Sequence, residues 1–277
     1  MLNPKIIDGR KIAQEITKPL KKEIQFLGQK GIIPQLAIIL VGADPESLIY
    51  IKEKEKTAKK LGIKTKLFKF SENISLAEIQ DLIFKLNKNK QISGILVQLP
   101  LPKNLDTEKV LGRIALKKDV DGLLSNSPYS PPCATAILMI LRKYKINLAN
   151  KKIVIVGIGR LVGRPLYKIL KEKKYNPTLI SSRQSDFIEK VKNADILICA
   201  SRKKNIIGQK MIKKEVVIID AACNVKKDAR LRASYLTPKI GGVGPVTVSL
   251  LIKNVVRAAR TRSEKDGTRA GPATIDI

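Results

Sequence analysis

Apolar and polar positions along this chain switch repeatedly between two spacings. Ile12, Ile16, Leu20 and Ile24 recur every fourth residue, the repeat of one helix face, and predict an opening helix bent at Pro19. The run "QLAIILVG" (35–42) predicts a strand. A helix over 46–61 follows, with Asp44 as N-cap, Pro45 at the first helical position and Gly62 at its end. Next come a strand "IKTKLFKF" (63–70), a helix opened by the capping box "SLAE" (75–78) and a strand "GILVQL" (94–99). After the proline-rich crossover "SNSPYSPP" (125–132), the pattern predicts a helix from Ala134 to Tyr144. Strands follow near 153–157, 177–181, 195–200 and 216–220, then a last helix from Val246 to Ala259. Strand and helix alternate throughout, so the fold class is α/β with parallel sheets covered by helices. We expect an N-terminal three-layer α/β domain (1–120) and a Rossmann-type parallel-sheet domain (121–245). The helix 246–260 is expected to pack back near the first domain. The tail 261–277 has few apolar residues and no period, and is expected to be disordered.

With 277 residues the chain has room for two α/β domains. No apolar stretch approaches the length of a membrane span, and Asp8 and Arg10 break the apolar run that a signal peptide needs. A cytoplasmic protein with no membrane partner is expected. Cys133, Cys199 and Cys223 are widely spaced, which suggests neither disulfides nor a zinc site; they read as small buried residues, and no metal is expected. The sequence contains no histidine, which excludes Ser-His-Asp and Cys-His catalysis. Proton transfer falls to Lys, Tyr, Asp or Glu.

A formal charge of +30 would attract phosphate backbones. The lysines, however, are spread over nearly every predicted helix, aromatics make up only 4%, and no nucleic-acid module is recognisable. The excess charge reads as solvated surface, with no nucleic-acid partner expected. A basic nucleic-acid-binding protein on this scaffold stands as the alternative of another class.

Chemistry concentrates in two places. The strand "KIVIV" (152–156) runs into Gly157, Gly159 and Gly163, a GxGxxxG one residue longer than the usual dinucleotide fingerprint. Backbone amides at the start of the following helix suit a pyrophosphate; a plain strand-to-helix turn is the other reading. The next strand ends in "ISSRQS" without the acidic residue that an NAD ribose requires. Ser182, Arg183 and Gln184 can instead receive a 2′-phosphate, which favours NADP over NAD. In the first half, Ser47, Tyr50 and Lys54 are spaced three and four apart on one helix face, where a solvated lysine-rich helix is the bland alternative. Gln98 ends a strand, and Asp121 lies in a loop with Gly122 behind it.

These residues sit in blocks that resemble the bifunctional methylenetetrahydrofolate dehydrogenase/methenyltetrahydrofolate cyclohydrolase family. The blocks are "KIIDGRKIA" (5–13), "SLIYIKEK" (47–54), "SGILVQLPLP" (93–102), "KDVDG" (118–122), "VGRP" (162–165), "ADILI" (194–198) and "ASYLTPKIGGVGPVT" (233–247), in colinear order. The resemblance implies oxidation of 5,10-methylenetetrahydrofolate with NADP and hydrolysis of the methenyl product to 10-formyltetrahydrofolate. It casts Lys54 as general acid/base, Tyr50 as the residue that stacks on folate, Gln98 as the partner of Lys54 and Asp121 as the pterin anchor. It further implies substrate contacts from Ser47, Leu99, Pro100, Gly241, Gly242 and Pro245. For the cofactor it implies Gly157, Gly159, Arg160, Val162, Gly163, Ser182, Arg183 and Gln184, and it implies a homodimer built through the second domain. The family's arginine and serine in the glycine turn are Ile158 and Gly159 here, and Ile240 replaces a proline. These departures motivate a second reading, a cyclohydrolase with weak or lost dehydrogenase activity.

Overall fold

The structure, a computed structural model, describes residues 4–265. The first elements are β1 (Lys5–Ile6), α1 (Gly9–Gln29), β2 (Gln35–Val41), α2 (Pro45–Lys60), β3 (Lys64–Phe70), α3 (Leu76–Lys88), β4 (Gly94–Val97) and α4 (Thr107–Leu111). They are followed by α5 (Pro132–Lys143), β5 (Ile153–Val156), α6 (Gly163–Glu172), β6 (Thr178–Ile180), α7 (Phe187–Lys192), β7 (Ile196–Cys199), β8 (Val216–Asp220), α8 (Lys227–Arg230), β9 (Ala233–Leu236) and α9 (Val243–Lys265). Two compact units result. Among the described residues, one contains Glu15–Ser130 and 248–265; the other contains 4–14 and Pro131–Thr247.

In the Glu15–Ser130 unit, β2 is the middle of a three-stranded parallel sheet ordered β3-β2-β4. Side chains of a strand alternate between faces, and β2 is apolar at every position after Gln35. Leu36, Ile38 and Leu40 therefore enter a core with Leu20, Ile24 and Leu27 of α1, Ile51 and Ala58 of α2, and Leu251, Ile252 and Val255 of α9. Ala37, Ile39 and Val41 enter a second core with Ile79, Ile83 and Leu86 of α3 and Val110 of α4. Each large side chain buried in this way contributes about 1.5–3 kcal/mol, and two filled faces make three layers.

Local signals start the helices where the residue types indicate. The Asp44 carboxylate accepts from Ser47 N at 2.8 Å, and Ser75 and Glu78 form the reciprocal capping box. Asp8 caps α1, accepting from the backbone of Arg10 and Lys11. The helix then runs through Pro19, which lies on its exposed side.

The second unit holds a six-stranded parallel sheet ordered β1-β9-β8-β7-β5-β6. The chain goes from β5 outward to β6 and returns across β5 to β7, so a topological switch lies between β5 and β7, where ligands of open α/β sheets bind. The sequence pattern missed β1 and β9. Their two and four residues are too short to show a period, and they form because β9 pairs with β8 and β1 with β9. Other boundaries shift as well. β4 stops at Val97, leaving Gln98 beyond the strand. α9 is longer than expected, from Val243 to Lys265, with Pro245 in its first turn, where no helical bond is lost. Of the tail expected to be disordered, 261–265 is helical and 266–277 lies outside the described residues. Only Cys199 is fully buried; Cys133 and Cys223 are partly exposed.

Candidate active site

Lys54 stands on α2, and Gln98 follows β4, the neighbour of β2 in the sheet. The Gln98 amide is oriented from one end: its Nε2 donates to the carbonyl of Leu99 at 2.9 Å. Oε1 is thereby turned to accept from Lys54 Nζ at 2.8 Å. Gln98 is buried, so this acceptor is not exchanged freely for water. Burial lowers the pKa of Lys54, and the negative charge of Asp121 opposes that shift. Asp121 moves the other way, raised to about 6 by burial and by the charge of Asp119, with Lys54 pulling it down. An amine held below its usual range beside a carboxyl titrating near 6 is suited to proton exchange around neutral pH.

The backbone under Asp121 is tied in several ways. Asp119 is buried, and its carboxylate accepts from the backbone of Leu123 and Leu124. Its carbonyl accepts from Ser127 Oγ, and Gly122 takes the left-handed φ of 62° that the turn requires. Val120 packs against Gly94, where a Cβ would lie 2.5 Å from Val120 Cγ1. Buried Lys118 donates to the carbonyls of Leu86, Asn87 and Asn89 at 2.7–2.9 Å, closing the C-terminal end of α3. The sequence reading passed over Lys118 and Asp119, although both lie in the quoted "KDVDG" block.

The other candidates on the Lys54 helix separate by depth. Tyr50 is 46% exposed, whereas Ser47 is 3% exposed in the first turn. Leu99 and Pro100 continue from Gln98 through a cis peptide bond. Gly241, Gly242 and Pro245 belong to the other unit. There the two glycines answer packing needs: Gly241 has φ 87°, and a Cβ on Gly242 would lie 2.4 Å from the carbonyl oxygen of Pro238.

The glycine turn sits at the switch point of the six-stranded sheet. Gly157 has φ 116°, and a Cβ there would strike the backbone of Ala200 and Ser201 beyond β7. A Cβ on Gly163 would lie 1.7 Å from the carbonyl oxygen of Gly157. Gly159 has open space around it, so protein packing does not explain its lack of a side chain. α6 begins without any side-chain cap at Val162; in its first turn Arg164 N donates to the carbonyl of Gly159 at 3.1 Å and Pro165 has no N–H, so an anion here would be met by the N–H of Gly163 and of the turn before it. Arg160 is partly exposed beside them. Past β6, Gln184 Oε1 accepts from Ser181 N at 3.0 Å, which folds the loop and leaves Arg183 exposed, with Ser182 partly so. Asn224, fully buried, ties this end of the sheet together by donating to the carbonyls of Ser201 and Lys203. An open cradle at an uncapped helix start fits a dinucleotide.

A parallel sheet with such a turn at its switch point defines an NAD(P)-binding α/β protein, and the amine-carboxyl site adds acid–base chemistry. The sequence profile of the tetrahydrofolate dehydrogenase/cyclohydrolase catalytic domain matches residues 7–121, and that of the NAD(P)-binding domain matches 131–263. The chain belongs to the tetrahydrofolate dehydrogenase/cyclohydrolase family. It is 40% identical to the bifunctional protein FolD of Thermodesulfovibrio yellowstonii over 94% of this chain and 98% of that protein. Its fold is similar to the solved FolD of Campylobacter jejuni, with a TM-score of 0.86 and 32% identity, covering 94% of this chain and all of that one. It is also similar to the Trypanosoma brucei FolD complexed with NADP and an inhibitor, with a TM-score of 0.88 and 29% identity, covering 94% and 99% of the two chains. Among the described residues, no helix is long and apolar enough to cross a membrane.

Proposed function

We propose that this chain oxidises 5,10-methylenetetrahydrofolate with NADP and hydrolyses the methenyl product to 10-formyltetrahydrofolate. The observation that carries the reading is the 2.8 Å hydrogen bond from Lys54 Nζ to an oriented Gln98, within the field of an Asp121 that titrates near 6. Lys54 takes a proton from the water that attacks the methenyl carbon and gives it to N5 as the C–N5 bond breaks, while the remaining hydroxyl proton leaves to solvent as the formyl C=O forms on N10. A cationic substrate reinforces the lowered pKa of the lysine. Gln98 holds Nζ in place through both steps. Asp121, ionised, accepts from neighbouring pterin N–H groups, and Tyr50, exposed one turn before Lys54, supplies a stacking surface.

Gly157, Gly159 and Gly163 with the start of α6 would hold the pyrophosphate of NADP, which supplies hydride acceptance when bound. Ser182 and Arg183 would receive its 2′-phosphate. The protein works as a cytoplasmic homodimer built through the dinucleotide unit, whose sheet ends in the edge strand β6. The deciding experiment gives the purified chain methenyltetrahydrofolate alone and, separately, methylenetetrahydrofolate with NADP or NAD. Turnover of both folates, with NADP preferred, supports the reading. Hydrolysis without reduction of either cofactor sinks the dehydrogenase half, and no folate turnover sinks both.

A further inference from the structure

One side-chain amide holds both ends of the loop that carries Asp121. Asn254, on α9, donates from Nδ2 to the carbonyl of Val120 at 2.8 Å and to that of Ser130 at 3.2 Å, which uses both hydrogens of its NH2 group. Between these anchors the chain has no helix or strand. Three residues further along α9, Arg257 lies over the ring of Tyr129 at 5.7 Å, and Tyr129 Oη donates to the carbonyl of Lys117. α9 therefore grips the loop at two points on one face. Only one of them touches the residue next to Asp121. Val120 is fixed by its side chain against Gly94 and by its carbonyl to Asn254, so the carboxylate one residue on has little freedom of its own.

We propose that Asn254 is a positioning residue for Asp121, which it holds against the Lys54–Gln98 pair. The inference rests on the assignment of Asp121 to the folate site. With the amide removed, the Val120 carbonyl is released and the loop can admit water beside Asp121. A carboxylate so loosened binds pterin less well and loses part of the desolvation that raises its pKa. The charged groups that face it, Lys54 from α2 and Asp119 from its own loop, are unchanged by the substitution.

The test uses the full chain with Asn254→Ala, Arg257→Ala and Asp121→Asn, each checked for thermal unfolding. Hydrolysis of methenyltetrahydrofolate is measured from pH 5 to 8, with KM and kcat separated. Asn254→Ala should raise KM about 5- to 20-fold and move the acidic limb of the profile to lower pH. Arg257→Ala, which loosens the same loop away from Asp121, should lower thermal stability and leave KM and the limb in place. A folded Asn254→Ala protein with wild-type KM and limb overturns the proposal, as does an Arg257→Ala protein showing the same changes. Should Asn254→Ala fail to fold, Asn254→Ser, which keeps a short donor, is judged by the same two readouts; if neither folds, the amide is structural and the proposal fails. Asp121→Asn separates the two levels. If it moves KM and limb while Asn254→Ala moves neither, only the positioning role is lost. If Asp121→Asn itself moves neither, the Asp121 assignment fails and the inference falls with it.

Discussion

A Cβ on Gly9 would lie 1.8 Å from the carbonyl oxygen of Gly242, and Gly9 N donates to the carbonyl of Gly241 at 2.8 Å. The start of α1 and the glycine pair ahead of α9 are thus pressed together backbone to backbone within one unit. Gly9→Ala forces that contact apart and should destabilise the protein by about 2–4 kcal/mol, read by denaturant unfolding. Wild-type stability in this variant would show that the two segments separate readily.

Lys54→Met keeps the aliphatic stem and removes the amine. Hydrolysis of methenyltetrahydrofolate should fall by roughly 10²-fold or more with folding intact. The lysine charge also holds the Asp121 pKa down, so the Asp121 carboxyl of this variant should titrate at higher pH than in wild type, followed by carbon NMR of the labelled carboxyl. Near wild-type hydrolysis would remove Lys54 from the chemistry.

Asp121 also makes stability depend on pH. Its folded pKa of about 6 lies above the 3.8 of an ordinary aspartate, so the native state binds the extra proton between those values. The contribution is fully present below about pH 4 and is lost as pH rises through 6. Wild type should therefore lose stability relative to Asp121→Asn as pH increases across this window. In the same variant, folate affinity should weaken by about 1–3 kcal/mol, because an acceptor-only group becomes a mixed donor and acceptor.

Buried Lys118 satisfies three carbonyls at the end of α3. Lys118→Met fills the same volume and leaves those acceptors without their donor. A loss of about 3 kcal/mol in unfolding free energy is expected. A loss below about 0.5 kcal/mol would mean that water replaces the ammonium group.

Arg183 is exposed past β6, free of the intraloop bond made by Gln184. A charge-assisted contact to a 2′-phosphate is worth about 1.5–3 kcal/mol, or roughly 10- to 150-fold. Arg183→Ala should raise KM for NADP by that factor and leave KM for NAD nearly unmoved. Equal effects on both cofactors would place the 2′-phosphate elsewhere.

The residues themselves determined whatever acts over a few positions. The apolar run of β2, the Asp44 and Ser75 caps and the spacing of Tyr50 and Lys54 on one helix face were all legible, because period and capping depend on near neighbours. The family resemblance was legible too, since its blocks are contiguous. What the tertiary structure alone decided depends on partners remote in sequence. β1 and β9 exist because a sheet edge accepts them, and Asn254 meets Val120 only once α9 packs beside the loop. Ser47 and Tyr50 share a face by spacing, yet tertiary packing buries Ser47 along with Ile51 and Ala58 and leaves Tyr50 exposed. Above all, Lys54 and Asp121 are an ordinary lysine and an ordinary aspartate in the chain. They become a shifted pair because folding removes water from both and sets each in the other's field, and neither desolvation nor a field is a property of a sequence position.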